Sequence, residues 1–285
     1  MALGSIGSLF GDAWKFYKER WSVLVEIVLL PTLVVVLGVT IIGLNLGSLA
    51  RAVGGLIVFV GWVAFIYVVL PVIYSIHNAT GVDASYKATI GWFWPYVWVV
   101  ILELFAVMGA SVMLIIPGIW LGVALSFAGY LFVIEGRRGV DALRQSKDYV
   151  KGYWWAVVGR TLLLALIYIV AAIVIRIPVA LFAGNMISGL VSAVMVLFFV
   201  PFSLIYNYLI LKNLRELKPG LAEAHTKEGT GFIKASAIVG IAVPIILFLF
   251  AVIFAGGVAF YLMQHANLHY VPTRGYNMQV PPLQQ

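Results

Sequence analysis

Three ionisable residues sit inside apolar runs at a matching offset from a tryptophan: Trp21-Ser-Val-Leu-Val-Glu26, Trp98-Val-Val-Ile-Leu-Glu103 and Trp155-Ala-Val-Val-Gly-Arg160. Charge within hydrocarbon is expensive, so Glu26, Glu103 and Arg160 form the candidate site. At about 1.5 Å per helical residue, each lies roughly 7–8 Å below its tryptophan. Gathered around one axis, two carboxylates and a guanidinium leave one net negative charge, which suits a proton or a small cation. The competing reading is structural: an ion pair, or side chains that reach separately toward the nearby interface.

Other chemistry is sparse. His265 and His269 are four residues apart and could face one way on a helix, but no third ligand lies near them, so no metal and no cofactor is assigned. Cysteine is absent, which removes disulfides, thiolate metal sites and cysteine nucleophiles. No phosphate loop, ordered triad or paired catalytic motif stands out, so the chain is expected to be non-enzymatic.

The elements that must position these residues are membrane helices. Of 285 residues, 63% are hydrophobic and 10% charged, and the mean hydropathy is +1.06. Soluble domains carry about 25% charged residues, so one aqueous core cannot hide this much apolar surface. Seven stretches approach or exceed the roughly 20 residues that cross a bilayer. They run about 21–44, 53–76, 89–115, 118–134, 153–177, 186–211 and 232–263. Alternating ten-residue strands are absent, which argues against a barrel. The expectation is an all-α integral membrane protein. It comprises an N-terminal interfacial helix (1–20), three helical hairpins (21–213) with cytoplasmic interfacial helices, a cytoplasmic linker (214–231), a seventh transmembrane helix (232–264) and an extracytoplasmic tail (265–285).

The formal net charge is +7. Of the 18 Lys and Arg residues, all but Arg51, Arg176 and Arg274 fall on one side of this arrangement. The positive-inside rule then puts the N-terminus in the cytoplasm and the tail outside. Basic residues flanking apolar spans suit anionic headgroups better than nucleic acid. Arg176, near the outer end of its span, is expected to reach headgroups.

Leu3, Ile6, Phe10, Ala13 and Tyr17 recur at helical spacing opposite Asp12, Lys15 and Glu19, as in a helix lying in the headgroup region; an amphipathic extension of the first span is the alternative. Pro117-Gly118 is expected to form a tight outer turn in the middle hairpin. Gly118, Gly122 and Ser126, and Gly184, Ser188 and Ser192, would permit close helix approach. Between Gly136 and Gly152, Arg137, Arg138, Arg144, Lys147 and Lys151 alternate with Val140, Leu143 and Val150. That pattern is expected to lie on the inner leaflet in contact with headgroups, or else to be an ordinary basic loop.

Ile116-Pro117-Gly118-Ile119-Trp120, Glu135, Ala142-Leu143, Ser146 and Lys151-Gly152-Tyr153-Trp154 resemble the membrane domain associated with bacterial glycerophosphoryl diester phosphodiesterases and the related YciC-like inner-membrane proteins. The resemblance implies a polytopic bacterial inner-membrane domain without the soluble catalytic barrel, and it carries over no catalytic residue. The first functional expectation is a protein that organises membrane lipid or partner proteins, with a second membrane protein or another copy of the chain as partner. The second is a small-solute or ion transporter built on the Glu26, Glu103 and Arg160 level.

Overall fold

The computed structural model describes residues 3–221 and 230–266, without the side chains of 183–186 and 264–266. The described chain is helical throughout, and seven helical segments are long and apolar enough to cross a membrane. They correspond one for one to the seven expected stretches. The protein is an all-α polytopic membrane protein.

Helices α1 (Ile6–Gly43) and α2 (Ser48–Asn78) form the first hairpin. Two glycines let their backbones meet: a Cβ at Gly38 would stand 2.8 Å from the Gly54 carbonyl oxygen, and a Cβ at Gly54 the same distance from that of Gly38. Such close contact is how helices associate in lipid, where no hydrophobic force drives them together. At the hairpin's open end Arg20 donates to the Thr80 carbonyl and to Ser75 Oγ (3.3 Å).

The short α3 (Val82–Thr89) leads into α4 (Phe93–Met113), and α5 (Ile115–Leu125) returns at once. The reversal falls on the extended Leu114 (φ −162°, ψ 143°), three residues before the expected Pro117-Gly118 turn. Pro117 instead sits in the first turn of α5, where a missing N–H leaves no helix hydrogen bond unmade. Gly118 serves the approach of α5 to α4, since a Cβ there would lie 2.0 Å from Ser111 Oγ.

After the break at Ser126-Phe127 come α6 (Ala128–Ile134) and α7 (Val140–Val150). Ser146 of α7 bridges that break, accepting from the Phe127 amide (3.1 Å) and donating to the Ala124 carbonyl (2.8 Å). Gly139, with φ 52° and ψ −131°, makes the turn into α7 in a conformation that side chains disfavour.

Helical hydrogen bonding continues through α8 (Trp154–Leu217), yet the Tyr168 and Phe199 rings stand 4.2 Å apart. A straight helix would hold them about 46 Å apart, so α8 doubles back on itself and forms the third hairpin. Helix α9 (Gly231–Ala266) begins against α4: a Cβ at Gly109 would lie 1.7 Å from the Ser236 oxygen, and one at Gly240 would lie 2.0 Å from the Phe105 oxygen. Residues beyond 240 belong to a second compact unit, whose described part is helix with exposed Ile245, Phe248 and Phe254.

Two expected surface elements differ. The 1–20 segment is not a separate helix but is continuous with the first span, and its apolar side packs on protein. Leu9, Ala13 and Tyr17 are buried, and the Phe10 ring lies 5.3 Å from Phe202 and 5.4 Å from Tyr206. Helix α7 is likewise part of the core, with Ala142, Leu143, Arg144, Gln145, Ser146, Tyr149 and Val150 all buried. The His265 and His269 side chains and the 265–285 tail lie outside the described residues, apart from the helical backbone to Ala266.

Candidate functional site

The shared offset places the three intramembrane charges in three different environments. Glu26 is exposed on α1 and has no hydrogen bond or ion pair among the described residues. Arg160 is 9% exposed and turns to the N-terminus, donating to the Leu3 carbonyl (3.3 Å), the Gly4 carbonyl (2.5 Å) and the Ala156 carbonyl (2.8 Å). Asn213 Oδ1 accepts from the Gly4 amide (3.3 Å), so α8 clasps the chain start from two sides. No ion pair joins Arg160 to either carboxylate, and the expected three-residue cluster does not form. The physical reason is local: three nearby backbone carbonyls already accept from the two Nη atoms of the guanidinium.

Glu103 is the residue that faces open space. It lines a cavity of about 290 Å³ among the helices, with Ile73 of α2, Tyr96 of α4, Tyr130 of α6 and Thr161 and Asn207 from the two arms of α8. At about 30 Å³ per liquid water, that is room for on the order of ten waters. The Glu103 carboxylate makes no hydrogen bond or ion pair among the described residues, whereas buried charges are ordinarily paired.

Three of the neutral polar groups around it donate to backbone carbonyls, whereas the Tyr96 and Thr161 hydroxyls, also on the lining, make no hydrogen bond among the described residues. Tyr130 donates its hydroxyl to the Leu204 carbonyl (3.1 Å), Ser126 donates to that of Val123 (2.9 Å), and Asn207 Nδ2 donates to that of Ser203 (2.9 Å). A hydroxyl that has spent its proton still accepts, and so does an amide oxygen. The cavity therefore sets acceptors at Ser126, Tyr130 and Asn207, beside the Tyr96 and Thr161 hydroxyls, around one carboxylate whose negative charge attracts a cation and repels an anion. Gly129 keeps the wall thin: a Cβ there would meet the Tyr96 ring and hydroxyl at 3.3 Å.

Sequence reasoning singled out Glu103 but not Tyr96, Tyr130, Thr161 or Asn207. An amide at 207 inside an apolar run was the available signal for Asn207; the tyrosines look like interface anchors until the helices are packed.

The five basic residues expected at the headgroups divide. Arg137 and Arg144 are buried, the first with its Nε 3.9 Å from Glu135 Oε2 and the second with Nη2 3.7 Å from Asp141 Oδ1. Arg138 is exposed but stacks its guanidinium 3.9 Å from the Phe132 ring centre, and burial pulls its pKa below the usual arginine value. Lys147 is partly buried and Lys151 exposed. Glu135 organises this side: Arg215 Nε approaches to 3.0 Å, Tyr149 donates at 3.1 Å, and Gln145 also donates to it. Lys218 closes the α7 C-terminus by donating to the carbonyls of Asp148, Tyr149 and Lys151.

No family model, curated protein or solved structure matches the chain. The residues that carry the motif resemblance have structural partners here: Glu135 and Ser146 as above, and Trp154, whose Nε1 donates to the Trp120 carbonyl (3.1 Å).

Proposed function

We propose that this chain is a non-enzymatic bacterial inner-membrane protein that binds, and passes across the bilayer, a small monovalent cation or protonated amine at Glu103. One observation carries the reading: a carboxylate with no hydrogen-bond or ion-pair partner among the described residues, on a cavity that also presents acceptors at Ser126, Tyr130 and Asn207. An ionisable residue kept inside a membrane protein without a partner marks a pathway or binding site more readily than a structural tie.

The orientation we propose has the N-terminus in the cytoplasm and the tail outside, supported by the one-sided distribution of lysine and arginine. The matching Trp-to-charge offsets support descent from a repeated hairpin in which only the middle copy, that of Glu103, kept a charge facing the cavity. The lipid-organising reading ranks second, because Arg137 and Arg144, two of its five headgroup contacts, are enclosed by protein.

The test is uptake of radiolabelled methylammonium into vesicles containing the full-length protein. Saturable uptake is expected, reduced at least tenfold in Glu103→Gln and unchanged in Glu26→Gln. Equal uptake by wild type and Glu103→Gln would remove Glu103 from the pathway.

A further inference from the structure

A second cavity in the first compact unit lies away from Glu103, between the first and third hairpins. It measures about 820 Å³ and runs along α1 from Thr32 to Leu44, with Trp62 of α2 on one wall and Arg176 and Val196 of α8 on another. Its lining is almost wholly apolar. The hydroxyls within it are spent on their own helices: Thr32 donates to the Val28 carbonyl (2.9 Å), Thr40 to that of Val36 (2.8 Å) and Ser192 to that of Ser188 (2.7 Å).

That leaves Arg176 as the one charged group among the described residues that line the cavity. It makes no hydrogen bond or ion pair among the described residues and sits in a run, 161–182, with no other charge. A guanidinium carries five N–H donors in a planar fork matched to phosphate. Arg176 is exposed rather than covered by protein, and near the end of a span such a fork is open to an anionic headgroup.

Position selects which anion. Arg176 lies six residues before the end of its span at Phe182, and Gly43 and Leu44, where α1 ends, line the same cavity, which places the guanidinium toward the headgroup end of the slot. Thr32 lies about 16 Å deeper along the helix. A single charge at the headgroup end of an apolar slot of that depth matches an amphiphile with an anionic head and a chain.

We propose that this cavity holds one acyl chain of an anionic phospholipid between the first and third hairpins, with its phosphate on Arg176. This goes beyond a side chain reaching headgroups, since it requires the slot as well as the charge. It is also independent of cation binding at Glu103. In a bilayer the acyl chain is already out of water, so entering the slot adds no hydrophobic gain. Selectivity therefore rests on the phosphate and on the fit of the slot.

The full-length protein is purified in detergent with equimolar phosphatidylglycerol and phosphatidylcholine of identical chains, and retained lipid is counted by native mass spectrometry. Wild type is expected to keep one phosphatidylglycerol, in at least tenfold preference over phosphatidylcholine. Arg176→Gln should lose that preference. Val39→Trp, which fills the slot and spares the charge, should also lose it, while Arg51→Gln, which removes a basic residue of α2 beside the first hairpin's turn, should keep it. Equal retention of both lipids by wild type would overturn the proposal. So would a preference that survives Val39→Trp, because the chain slot would then be unused. If Arg176→Gln does not fold, the wild-type preference and Val39→Trp still decide.

Discussion

Arg160 and Glu103 share a sequence pattern and not a site. The Arg160 guanidinium spans from α8 to the Leu3 and Gly4 carbonyls, and its Nε remains buried without a partner. Hydrogen bonds to a charged donor contribute about 1.5–3 kcal/mol, so Arg160→Gln should release the N-terminal segment by roughly that amount. Trypsin cleavage at Lys15 and Lys18 is expected to quicken about 10- to 100-fold. An unchanged rate would mean that the aromatic contacts of Phe10 and Tyr17 hold the segment alone. The equal spacing from tryptophan to charge was legible in the sequence. The direction of each side chain was not, because it depends on which backbone carbonyls tertiary packing leaves open nearby.

At the scale of elements, the spans were the most readable feature, since each is a local run of apolar residues long enough to cross a bilayer. The amphipathic segments were the least. An apolar stripe on residues 9–17, or on α7, meets the same need whether it faces lipid or the rest of the protein, and periodicity cannot separate the two. Helix α7 resolves toward protein because Glu135 receives Arg215, Tyr149 and Gln145, and Lys218 covers its last carbonyls. Pro117 misplaced the middle turn for a related reason: proline fits a helix's first turn as well as a loop.

The α7 latch carries a pH dependence. Burial, then the neighbouring Glu135 carboxylate, pushes the Tyr149 hydroxyl above its ordinary pKa. A raised folded-state pKa means that its stabilisation is complete below about pH 10 and lost as the pH climbs from there through the folded-state value. Thermal unfolding of wild type should therefore fall more steeply between about pH 9.5 and 11 than that of Tyr149→Phe. Parallel slopes would show that the hydroxyl does not couple to folding. The same variant should lower stability at neutral pH by about 1 kcal/mol, the usual worth of one hydrogen bond.

Over the whole molecule, glycine contacts at 38 with 54 and at 109 with 240 draw backbones together, while the centre holds a polar cavity. The cavity could not be read from the chain, because it is assembled by residues from 69 to 207 on separate helices. The proposed transport requires that a cation occupy the space before Glu103. Dicyclohexylcarbodiimide modification of the full-length protein in lipid tests it, with the exposed Glu26 as internal reference. Methylammonium is predicted to slow modification of Glu103 and to leave that of Glu26 unchanged. Equal rates at Glu103 with and without methylammonium would contradict the account.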